Sequence, residues 1–252
     1  MEATGATAYN AGLPGVAPEI LDGWVRQATP LADPELVVWG IAPLLFEAES
    51  RDPQSCAGRD ADWNEPSALR TAVFGGVDVL ADVSIPSMSF GDPYTNEPPD
   101  AIGPLHGYYR ATFTEFGGRQ HWPRLSEDEL QQALDRFSRH HAGYFVCAER
   151  MQRWVGTLEW LDAEGVDVVV VAMPLSDLHV GAFPGGPKQV AKVLARAEKE
   201  AAAAGVEFFL DLSKMLPDER FRDLFHLDKL GAEKYTTRVV NELVKRGFLD
   251  PS

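Results

Sequence analysis

The run Val166–Met173, VDVVVVAM, restricts the fold more than any other stretch of the chain. Four consecutive valines leave no polar side for solvent. An unbroken β-branched run of this length suits a parallel strand covered on both faces. Its neighbours repeat the pattern. Trp154, Leu158 and Leu161 fall on one helical face, and Gly165 ends that helix. A helix over about Lys188–Ala204 stops at Gly205, Val206–Leu212 (VEFFLDL) reads as the next strand, and a last helix covers about Gly231–Lys245. Helix, strand, helix, strand, helix is the order of a doubly wound parallel sheet.

The first half is less regular. Residues 1–16 are small and Gly/Ala-rich. Ile20–Gln27 predicts a short helix ended by Thr29-Pro30, and Glu35–Trp39 a buried strand stopped by Gly40. Residues 49–65 read as loop, Pro66–Phe74 as a helix with proline at its start, and Asp78–Ile85 as a strand. Pro86–Gly118 is dense in Pro, Gly and aromatic residues without a sustained period, which marks a lid or pocket wall. Ser126 and Glu129 form a capping box that opens a helical region reaching about Ala163, broken near Gly143. The expectation is one α/β domain over residues 1–252. It is a three-layer α/β/α sandwich with a mostly parallel doubly wound sheet, carrying an irregular insertion at about 86–125.

Charge narrows the partners. With 23 Lys+Arg against 38 Asp+Glu the net charge is −15, which argues against nucleic acid and an anionic membrane surface. The longest apolar run, Val168–Pro174, is far short of the roughly 20 residues of a membrane helix. Cys56 and Cys147 belong to no CxxC or Cys/His cluster, and the N-terminus has no basic-then-apolar leader, so a cytoplasmic location is expected. His140 and His141 adjoin on a helix and should face different ways, so no shared metal is expected there. No phosphate-binding or dinucleotide motif occurs, and Gly185-Gly186-Pro187-Lys188 reads as a plain lead into a helix. Neither a metal nor an organic cofactor is expected.

In open α/β sheets ligands bind beyond the carboxyl ends of the strands. The segments to inspect are therefore GIAPLLFEAE, PSMSFGDP, PLSDLHVGAF and the stretch after Leu212. In the last, Asp223 and His226 stand three apart. A carboxylate against one imidazole nitrogen fixes the tautomer and leaves the other nitrogen as a base. On those four residues alone, an exposed Asp and His before a helix is the commoner outcome, since short motifs match by chance.

The surroundings shift that weighting. FRDLFHLDKLGAEKYTTRVVNEL resembles the closing block of the SGNH (GDSL-type) hydrolase superfamily, in which the Asp and His of a Ser-His-Asp triad precede a final helix. GVDVVVVAMPLSD, AGVEFFLDLSKML, ADVSIPSMS and VVWGIAPLLFEAE resemble further blocks of its polysaccharide O-acetylation and DltD-like branches. The likeness covers most of 35–90 and 145–245. It implies an esterase or acyltransferase with His226 as base and Asp223 as its orienter.

One departure dominates. Where the family has its nucleophilic Ser, this chain has Ala42. Removing the nucleophile of such a unit costs about 10⁶-fold in rate. The resemblance implies oxyanion donors at the amides of Ala42 and Ser87. A third would be an Asn side chain, for which Asn96 or Asn64 is the candidate, neither with the family's neighbours. Two accounts fit Ala42: a serine deliberately replaced to hold substrate without turnover, or a natural non-catalytic relative that binds. The expected partners are a small-molecule acyl donor, with or without an acceptor.

Overall fold

The computed structural model describes residues 18–47 and 124–250. Helix α1 (Pro18–Ala32) precedes strand β1 (Leu36–Ile41), which leads into a 3-10 turn at Pro43–Phe46. Then come α2 (Glu127–His141), α3 (Ala148–Ala163), β2 (Asp167–Ala172), a short α4 (Asp177–Ala182), α5 (Gly186–Ala203), β3 (Phe208–Asp211) and α6 (Lys229–Lys245). The three described strands form one parallel open sheet in the order β1-β2-β3. The arrangement is mixed α/β.

Strand β2 is central, and its alternation explains the valine run. Val168, Val170 and Ala172 join a core with Trp39, Ile41, Met151, Trp154 and the apolar side of α5. Val169 and Val171 join a second core with Phe208, Leu210, Val239 and Leu243. Both faces of β2 are therefore covered, as the unbroken apolar run predicts. On α3 the buried Met151, Trp154, Leu158 and Leu161 follow helical spacing, and each such side chain contributes roughly 1.5–3 kcal/mol on burial.

The capping box is present: the Ser126 side chain accepts from the Glu129 amide, and the Glu129 carboxylate accepts from the Ser126 amide. The helical region it opens is two helices, α2 and α3, parted by Ala142–Cys147.

Several boundaries differ from the sequence reading. Helix α1 runs through Pro30 to Ala32. The proline lies in the last turn, where it forfeits a single helical bond, and the Asp33 amide still closes on the Thr29 carbonyl. Strand β1 includes Gly40 and continues to Ile41. A Cβ at Gly40 would lie 3.0 Å from the Met173 sulfur, so the glycine admits the Met173 side chain beside the strand and does not stop it. Helix α4, capped by Ser176, was not anticipated at all. The expected helix at 66–74, strand at 78–85 and nearly all of the insertion at 86–125 lie outside the described residues. No described helix is long and apolar enough to cross a membrane.

Candidate active site

Ile41 pairs with Ala172, and Ala172 with Asp211, so the three strands finish in register. The segments starting at Ala42, Met173 and Leu212 consequently leave the sheet from one edge, the ligand-binding edge of open α/β sheets. Ala42 is half-buried in extended backbone (φ −139°, ψ 159°) and heads the 3-10 turn, its carbonyl accepting from the Leu45 amide at 3.0 Å.

Asp223 and His226 sit on a tight turn. The turn is closed by a Phe221–Leu227 antiparallel bridge, by the Arg222 amide on the His226 carbonyl and by the Asp228 amide on the Arg220 carbonyl. Asp223 Oδ1 accepts from the amides of Phe225 and His226, both at 2.8 Å, the Asx pattern that a short carboxylate favours in turns. Its other oxygen, Oδ2, stands 2.7 Å from His226 Nδ1. A carboxylate only accepts, so Nδ1 carries a proton, and in the neutral ring the lone pair is then on Nε2. Asp223 is buried, whereas the His226 side chain is 35% exposed.

Burial by itself pushes the Asp223 carboxyl upward. The hydrogen bond and charge of His226, with the two turn amides, outweigh it and hold the group below the usual carboxylate value. The turn is anchored to the segment after β2, since Ser176 Oγ donates to the Leu224 carbonyl (2.5 Å) and accepts from the His179 amide (3.0 Å). The Gly-Ala step that opens α6 has a packing cause. A Cβ at Gly231 would lie 2.6 Å from the Arg220 carbonyl oxygen, so only glycine lets α6 start against the turn.

Behind the turn lies an aromatic cluster. Phe137 packs edge-on against Phe225 and His179. His179 is fully buried with neither ring nitrogen hydrogen-bonded among the described residues, and burial first, then the neighbouring His141, pushes its pKa down to about 4 despite the opposing charge of Asp223.

A second polar group was read differently from the sequence. His140 and His141 do not diverge: both reach Glu47, His141 Nδ1 at 2.8 Å from Oε1 and His140 Nε2 at 3.8 Å from Oε2. They sit in the last turn of α2, where each uses a different ring nitrogen to span the angle between adjacent helical positions.

Of the residues singled out from the sequence, Asp223 and His226 are brought into direct contact, and Ala42 lies at the same sheet edge. Ser87, Asn96 and Asn64 lie outside the described residues. Glu47 and His179 were missed. Both fall within segments that follow strand ends, GIAPLLFEAE and PLSDLHVGAF, and that position was the available signal. Comparison with protein-family models, with curated proteins and with solved structures found no match to this chain.

Proposed function

We propose that the chain is an SGNH-type acyl-transfer protein, of three-layer α/β/α architecture, whose nucleophile position is filled by Ala42. The observation that carries the reading is the 2.7 Å Asp223–His226 contact on a turn beyond the carboxyl edge of a parallel sheet. With serine at position 42, its Oγ attacks an ester or thioester carbonyl while His226 Nε2 takes the proton. Asp223 steadies the resulting imidazolium. The amides of residues 42 and 87 receive the negative charge on the former carbonyl oxygen, with Asn96 as a further donor. The leaving group takes its proton from His226. The acyl group then passes to water or to an acceptor on a small metabolite or saccharide. With alanine at 42, the chain binds its donor and does not turn it over. A serine replaced by design accounts for such a pocket with the rest of the site retained.

Ala42→Ser, assayed with p-nitrophenyl acetate and acyl thioesters, tests the proposal. The expected result is a burst of product equal to the protein present, with the acyl group on residue 42 by mass spectrometry. Silence across the donor panel, in a folded variant, would leave the alternative of a non-catalytic SGNH-fold binding protein. Turnover by the present chain that is lost in His226→Ala would overturn the acyl-enzyme route in favour of direct acid–base chemistry.

A further inference from the structure

We propose that Glu47, His140 and His141 bind one divalent metal ion of the zinc class, a site that does not depend on the acyl-transfer reading. One donor atom from each residue lies within 4.8 Å of the others. The donors are a carboxylate oxygen and two imidazole nitrogens, the set that zinc and its first-row neighbours favour. In a tetrahedral zinc site with bonds of about 2.0–2.1 Å, adjacent donors stand about 3.3 Å apart. Glu47 Oε1 lies 2.8 Å from His141 Nδ1 and Glu47 Oε2 lies 3.8 Å from His140 Nε2, so side-chain rotation can bring one carboxylate oxygen and the two nitrogens to that spacing.

The backbone around the donors is braced by contacts of its own. Glu47 closes the 3-10 turn after β1. The Cys147 amide bonds the Phe46 carbonyl at 2.8 Å, Glu47 bridges Val146, and the Arg150 guanidinium holds the Glu47 carbonyl. The Glu47 carboxylate thus projects from a pinned backbone into a site with only 6% of its side chain exposed. His141 is buried, its ring stacked on Phe183 at 4.6 Å and 5°. That packing orients the ring while its Nε2 has no hydrogen-bond partner among the described residues. His140 is 42% exposed and supplies the open side through which an ion enters.

Two further points favour a cation over a plain ion pair. A single imidazole suffices to answer one buried carboxylate, yet two converge here, each on a different oxygen. Their site is also the carboxyl end of the fifteen-residue α2, where the helix dipole favours positive charge. Three protein donors leave a fourth position for water.

The full chain, stripped with chelator and returned to metal-free buffer, is titrated with Zn²⁺ by calorimetry and with Co²⁺ by visible absorption. One equivalent should bind, with the intense d–d bands of tetrahedral Co²⁺, and Zn²⁺ should raise the Tm. His140→Ala removes an exposed side chain and should fold. It is expected to weaken binding by more than the about 10- to 100-fold that loss of an outer-sphere partner costs, and to abolish the Tm shift. Glu47→Gln should do the same, and His226→Ala should bind as the parent does. Absence of saturable binding, binding indifferent to His140→Ala, or binding lost in His226→Ala would each overturn the proposal.

Discussion

On the proposed reading a single oxygen atom at position 42 separates a binding protein from an acyl-transfer enzyme, and the local backbone accepts that atom readily. Ala42 heads the 3-10 turn with no side-chain cap, in an extended conformation that serine adopts freely. Serine is a preferred residue at such positions. Ala42→Ser should therefore leave stability unchanged or raise it by up to about 1 kcal/mol, as read by urea denaturation. A clear destabilisation would mean that the half-buried methyl occupies space an oxygen cannot share.

Asp223 carries a second prediction at this scale. In the Ala42→Ser background, Asp223→Asn should lower the acylation rate by about 10⁴-fold, because an amide permits the wrong imidazole tautomer. Its folded carboxyl titrates below the ordinary value of 3.8, so the carboxylate's contribution to stability is complete above that value. It disappears as pH falls through the lower folded one. The stability gap between parent and Asp223→Asn, followed by acid titration, should accordingly close below pH 3.8. The Asp223–His226 contact was legible in the sequence because it spans three residues and an Asx turn makes it locally.

Among the elements, the joint between the turn and α6 depends on one missing methyl. Gly231→Ala would drive a Cβ to 2.6 Å from the Arg220 carbonyl, a backbone atom that cannot swing away. The forced shift should cost about 1–3 kcal/mol. In the Ala42→Ser background it should also slow acylation, by moving the turn that holds Asp223. Denaturation and single-turnover kinetics check the two effects separately. Element types were readable where periodicity was strong, as on α3 and β2, and where a cap was explicit, as at Ser126. Boundaries were not. Pro30 and Gly40 both look like stops, yet Pro30 sits in the last turn, where only one helical bond is forfeited, and Gly40 makes room for the Met173 side chain. Helix α4 is six residues long, too short for a periodic signal, and its cap Ser176 also bonds the distant Leu224 carbonyl.

On the scale of the whole molecule, the two cores hold helices against the sheet, and Tyr235 on α6 packs against the second. Burial raises its phenol to about 12. The folded pKa lies above the unfolded value of about 10, so the contribution is complete below pH 10 and lost as pH rises through 12. The parent should lose stability over that interval, and Tyr235→Phe should lose less of it, as followed by circular dichroism in alkaline titration. An equal loss in both would place the alkaline transition elsewhere.

Local sequence determined the strand character of Val166–Met173, the helical faces, the Ser126 cap and the Asp223–His226 contact, because each arises within a window of a few residues. Only tertiary structure decided that Glu47 meets His141 across 94 positions, or that His179 sits among Phe137, Phe183 and Phe225. Those meetings depend on strand register and on the path of the crossovers. No spacing along the chain encodes either one, since a contact between distant residues is set by how whole elements pack.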